Sequence, residues 1–248
     1  MSSRSLIALF FAVAMVMTVA LAPMSLLTAG LKPAQMVGIG AVSGVVWRGR
    51  FERVAFAGAP IGTWTGGING LALLTGKLRM ALAQDRAGSP QRVVLLLRGH
   101  ERGVERLALR TSLELTPLGL PLTADIAARD LTAVFRNGRC ARAAGDVRLR
   151  LLGEGPLGGA TLSGASVCRA DAWLAVLSGR AGAADLKLVG RVEGDGRYQL
   201  EMSVVTADPD LIQALLASGF SRDATGARRT VDGRLWGASG QEGMKRSP

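Results

Sequence analysis

The chain has 248 residues, with 30 Lys and Arg against 19 Asp and Glu, one histidine and two cysteines. Two cysteines and His100 cannot make a four-ligand metal centre, and no cofactor-binding set is legible either. A formal net charge of +11 raises the possibility of nucleic acid, but the four Trp, six Phe and one Tyr are not interleaved with basic residues as a base-stacking platform requires, so no nucleic-acid partner is expected.

The first element is Leu6 to Leu27, twenty-two residues without a charge behind MSSRS. At ~1.5 Å per residue it spans the ~30 Å hydrocarbon core of a bilayer. Ala20-Leu21-Ala22 resembles a small-residue cleavage site. Against cleavage, the run exceeds the ~7–15 residues of a signal-peptide core, and Pro23 follows, with a fixed φ and no N–H. The expectation is a transmembrane signal anchor over 6–27 with residues 1–5 in the cytoplasm, a connector over 28–37, a periplasmic β-rich domain over 38–238 and a disordered tail over 239–248. Charge near the span amounts to Arg4 against Lys32. Orientation therefore rests on the short N-terminus staying inside.

From Gly38 onward the apolar period becomes two, the rhythm of half-buried strands. Strands are expected at Gly44–Phe56, Ile61–Ile68, Leu71–Ala83, Arg92–Arg98, Val104–Leu115, Leu122–Ala127, Leu131–Phe135, Asp146–Leu151, Ala160–Val167 and Thr230–Trp236. Arg148 and Arg150 oppose Val147, Leu149 and Leu151, so the basic excess reads largely as the outer face of a sheet. Asn137-Gly138 and Asp195-Gly196 are hairpin dipeptides that accept the positive φ of a type I′ turn. One helix is expected after Asp208-Pro209-Asp210, with Leu211, Ile212, Leu215 and Leu216 on one face and Gly219 as the stop. A second, shorter one is expected over Asp171 to Ser178. So long a sheet with so few helices must bury its apolar face against itself, a partner or lipid.

In an exported chain Cys140 and Cys168 are expected to form a structural disulfide. Gly153-Glu-Gly155-Pro-Leu-Gly158 has dinucleotide-loop spacing but leads into a strand instead of a helix, so it is rejected. His100 reads as an exposed loop residue, and the carboxylates are scattered, so no catalytic residue is assigned and no enzyme is expected. Trp47 and Trp64 each stand near glycines and read as packing residues at sheet edges.

Taken in order, these segments resemble type II secretion system protein N of Gram-negative bacteria. Carrying the resemblance are Gly40-Ala-Val42-Ser-Gly44-Val-Val-Trp47-Arg-Gly49, Ile61-Gly62-Thr63-Trp64, Leu74-Thr75-Gly76-Lys77-Leu78, Cys140 with Gly145, Cys168 with Asp171 and Leu174, and Asp195-Gly196-Arg197-Tyr198-Gln199-Leu200. Candidate family positions are therefore Gly44, Trp47, Gly49, Trp64, Gly76, Asp195 and Gly196. The family usually has Leu-x-Trp where Gly62-Thr63-Trp64 stands, and Thr65-Gly66-Gly67 is expected to loosen the strand that follows.

The expected fold is thus mainly β: an N-terminal transmembrane helix, then a long, curved antiparallel sheet with one or two short helices. The resemblance implies a single-pass inner-membrane protein that binds other type II secretion subunits in exporting folded proteins across the outer membrane. It implies no catalytic residues and no cofactor. The alternative is an AsmA-like lipid-binding or lipid-transfer protein that uses the apolar sheet face. Anionic lipid is then a second partner, matched to the positive charge.

Overall fold

The computed structural model describes residue 17 and residues 21–25, 37–56, 59–70, 72, 75–84, 90–115, 120 and 122–235. Among them fifteen strands form one antiparallel sheet. In chain order these are β1 (Val37–Gly38), β2 (Ala41–Val45), β3 (Arg48–Phe56), β4 (Ala59–Ile68), β5 (Leu78–Gln84), β6 (Gln91–Arg98), β7 (Glu101–Glu114) and β8 (Thr123–Arg136). There follow β9 (Arg139–Leu152), β10 (Thr161–Arg169), β11 (Ala172–Ala181), β12 (Ala184–Val192), β13 (Arg197–Val205), helix α1 (Pro209–Ala217), β14 (Ser221–Asp223) and β15 (Gly226–Arg234). From β3 to β13 each strand pairs with the next. The ends differ: β1 and β2 share one edge of β3, while β15 pairs with β13 and leaves β14 outermost.

Alternation sorts the side chains. One cross-strand row on the inner face runs Ile126, Leu149, Leu162, Gly179, Leu186, Val204, Ala227, from β8 to β15. The neighbouring row on the outer face runs Ala127, Arg148, Ser163, Ser178, Lys187, Ser203, Arg228. The basic residues there are indeed an outer face. The inner face curls until Leu115, Leu149, Leu151, Leu162, Leu188 and Met202 line one cavity, with about 10 Å³ left open. That is barely room for one water, so side chains fill the space between these residues.

α1 closes this core. Asp208 accepts from the Asp210 N–H at 2.9 Å and the Leu211 N–H at 3.3 Å, and Pro209 stands at the first helical position, where its missing N–H costs nothing. Leu211 and Leu215 are buried in the core, and Gly219 turns the chain out at φ +85°.

Several expectations are corrected. Asp171 to Ser178 is not a helix but most of β11, paired with β10 and β12. The run Ala172–Leu177 is apolar at every position, and Ala170 and Asp171 both take positive φ, 47° and 64°, so the apparent helix cap is the second residue of a hairpin turn. Gly44–Phe56 is two strands folded at Val46-Trp47; neither turn residue has positive φ, and Gly44, at +88°, takes the left-handed conformation instead. The Leu71 start is too early, since β5 begins at Leu78 after a turn. Leu122–Ala127 and Leu131–Phe135 are one strand, β8, interrupted by a register shift between Arg129 and Thr132 where Asp130 has φ 48°. Gly66 and Gly67 do not loosen β4, which pairs with β5 through Ile68.

Most of the expected anchor lies outside the described residues, as do 28–36, Trp236 and the tail. No helix among the described residues is long and apolar enough to cross a membrane. Within the expected span, Pro23 bridges Val45, the Val46 N–H donates to the Ala22 carbonyl at 2.9 Å, and Met24 is fully buried in the sheet.

Candidate interaction surfaces

Six of the seven family positions gather at two places. Four of them build the N-terminal end around Met24, which sequence reading assigned to the span. Gly49 lies beneath it, so close that a Cβ there would come within 2.8 Å of the Met24 Cγ. Phe51, Val54 and Trp64 complete that cluster. Gly44 faces Gly49 across the β2–β3 ladder. Trp47 is half-buried at the hairpin turn, its ring against Gly70 and its carbonyl where a Cβ on Gly67 would collide. These glycines serve close backbone approach, and the hydrogen bond from the Ile68 N–H to the Val46 carbonyl, at 3.0 Å, fixes it. Trp64 is 3% exposed and its indole N–H has no partner among the described residues. Gly76 stands apart in the turn before β5, at φ +67°, with open space around it.

Hairpin turns form the second place. Asn137 and Gly138, at φ 52° and 78°, make the expected two-residue turn. The Asp195-Gly196 turn is longer: the Glu193 N–H donates to the Arg197 carbonyl at 2.8 Å around Gly194-Asp195-Gly196, with only Gly196, at +91°, left-handed. The two turns touch, because a Cβ on Gly194 would run into the Gly138 carbonyl, and the Arg102 guanidinium donates to the Gly194 carbonyl at 2.5 Å. Gly194 and Arg102 escaped sequence reading; the Gly-Asp-Gly run was the available signal. The exposed His100 joins this rim through its backbone carbonyl, which accepts from the Asn137 N–H at 3.1 Å.

Cys140 and Cys168 are bonded here, with Cα atoms 5.5 Å apart. The β9–β10 ladder ends at Ala165 and Asp146. Beyond it the strands are held by the disulfide, by the Ser166 hydroxyl donating to the Ala144 carbonyl at 2.7 Å, and by the Cys140 N–H donating to the Asp171 carbonyl at 2.7 Å. From β11 the Trp173 indole N–H reaches the Thr132 carbonyl at 3.2 Å.

Ion pairs dominate the rim's electrostatics. The Asp195 carboxylate accepts from the Arg197 N–H at 3.0 Å, which holds its pKa below the ordinary aspartate value; the Arg197 and Arg234 charges add to this. A hydrogen bond from the Arg136 side chain likewise lowers Glu101, with Arg98 and Arg142 contributing charge. Among the described residues no three of His, Cys, Asp and Glu converge as a metal site would require. What the arrangement offers is backbone edges and charged surface.

The chain matches the family model for type II secretion system (T2SS), protein N over residues 35–231. No curated protein and no solved structure matches it.

Proposed function

Because the chain belongs to the type II secretion system protein N family, we propose that it is an inner-membrane-anchored periplasmic subunit that acts by binding other secretion subunits, not by catalysis, as folded proteins cross the outer membrane. The family match carries this reading, since it spans nearly every strand of the sheet. Anchoring is supported by the uncharged stretch from Leu6 to Leu21 that precedes the residues packed on the sheet. With Pro23 and Met24 already packed on the sheet, such an anchor would hold the domain close to the membrane. Lipid carriage is the weaker reading: the cavity lined by Leu115, Leu149, Leu151, Leu162, Leu188 and Met202 leaves about 10 Å³ open, far too little for an acyl chain.

The test is gentle detergent extraction of the intact protein and mass spectrometry of the proteins and lipids that accompany it. Secretion subunits in fixed stoichiometry without enriched lipid are the expected result. Bound phospholipid on a protein that brings no subunit would overturn it.

A further inference from the structure

The apolar N-terminal stretch meets the sheet at one defined place. Pro23 bridges Val45 in the antiparallel sense, and β2 runs toward the β2–β3 turn. Followed back from Pro23 to Leu21, the chain therefore leaves past that turn, and the bond from the Val46 N–H to the Ala22 carbonyl holds the turn beside it. The Leu21 N–H donates to the Met17 carbonyl at 2.9 Å, a helical i to i−4 bond. Only Ala22 separates this helical turn from the bridge, so no linker lets the domain swing away from it.

Length then sets the depth. Leu6 to Leu21 is sixteen residues. As a helix it rises about 24 Å, short of the ~30 Å hydrocarbon core. Such a span draws its flanking residues into the interface. On one side Arg4 reaches headgroups with its long side chain. On the other, the first structure the span meets is the β2–β3 turn. Beside that turn lies the connection from Asn69 to Lys77, since the Trp47 ring packs on Gly70. The connection has a fixed shape: the Ala72 carbonyl accepts from the Thr75 N–H at 3.1 Å, the Thr75 hydroxyl at 2.8 Å and the Lys77 N–H at 3.0 Å.

We infer that the β2–β3 turn and the 69–77 connection are the surface this domain sets into the headgroup region of the bilayer, with Arg48 and Lys77 on lipid phosphates. The inference rests on the anchor reading and names the face that meets the membrane. Residues 46–49 and 69–77 contain Trp47, Arg48, Lys77 and three leucines in sequence, and no carboxylate. An aromatic ring, cations and apolar residues without acid are the composition of a membrane interface. Arg48 is exposed and Lys77 half-buried, and among the described residues neither makes an ion pair. Leu21 and Met17, 68% and 58% exposed, are the barest large apolar side chains among the described residues, as a lipid-facing stretch requires. Gly76, with φ +67° and open space around it, turns the chain at this surface.

The experiment attaches a nitroxide to Met17→Cys, Thr75→Cys or Ala183→Cys in the full-length protein, reconstituted in vesicles of phosphatidylcholine and phosphatidylglycerol. Cys140 and Cys168 are bonded to each other and stay unlabelled. Collision with oxygen reports lipid, and collision with a water-soluble nickel chelate reports water. Met17 is expected in lipid and Ala183, at the opposite end of the sheet, in water. At Thr75 the chelate collision rate should be lower than at Ala183 by about threefold or more. Arg48→Glu with Lys77→Glu should raise it about twofold, and by less in phosphatidylcholine alone. Thr75 as open to the chelate as Ala183, with Met17 in lipid, would overturn the inference and leave the anchor standing. Met17 and Thr75 both open to the chelate would sink both. Indifference of Thr75 to the charge reversal would overturn the phosphate contact. Shielding of Thr75 from oxygen and chelate alike, with spin coupling that unlabelled protein dilutes away, would replace the bilayer by a second copy.

Discussion

The two ends of the sheet use the same alternation and reach different degrees of closure. From β8 to β15 the inner face curls on itself and takes α1 as a lid, so that among the described residues eighteen buried ones form one core. Around β2 to β4 four of the described residues are buried together in this way, and one of them, Met24, comes from outside the sheet. The N-terminal end compensates with glycines that bring backbones together, as at Gly49 and Gly67. Alternation alone does not make a core; a strand is as stable as what its inner face meets. The thinner half is the one next to the proposed tether.

Truncations measure the contrast most strongly. Leu162→Ala, at a side chain 1% exposed, should cost about 2–5 kcal/mol in urea denaturation. Replacing Cys140 and Cys168 by alanine releases a link of sequence separation 28 and should cost roughly 3 kcal/mol by the chain-entropy account. Gly49→Ala should cost about 1–3 kcal/mol, with accelerated hydrogen exchange confined to β2–β4, because the new methyl meets the Met24 Cγ. Trp64→Phe should cost about 1 kcal/mol or less, since losing the unpartnered indole N–H offsets part of the lost volume.

The smallest effect is electrostatic. Asp195 is held below its ordinary pKa in the folded state, so its contribution is present above the unfolded pKa and is lost as pH falls through the folded one. Asp195→Asn should lower the urea midpoint slightly at neutral pH, and the gap to the parent should close in acid. A gap that widened in acid would refute the assignment.

Sequence alone revealed the alternation, the meander hairpins and α1, because period, turn dipeptides and caps are local signals, and the disulfide, because the chain has only two cysteines to pair. It mistook Asp171 to Ser178 for a helix because a fully apolar run has no period of its own, and the β10 and β12 ladders decided it. It divided β8 at Arg129, where a register shift bends one strand. Met24, Gly194 and Arg102 stayed hidden because their roles depend on segments distant in sequence. Of the candidate positions, Gly44, Trp47, Gly49 and Trp64 converge, Asp195 and Gly196 join a rim of turns, and Gly76 joins neither.

Native-state hydrogen exchange on the full-length protein, read strand by strand, tests the unequal-halves account most directly. The account predicts that amides of β9 to β13 exchange only through global unfolding, while those of β2 to β4 exchange through a local opening of clearly lower free energy. Equal protection in both halves, or slower exchange in β2 to β4, would contradict it.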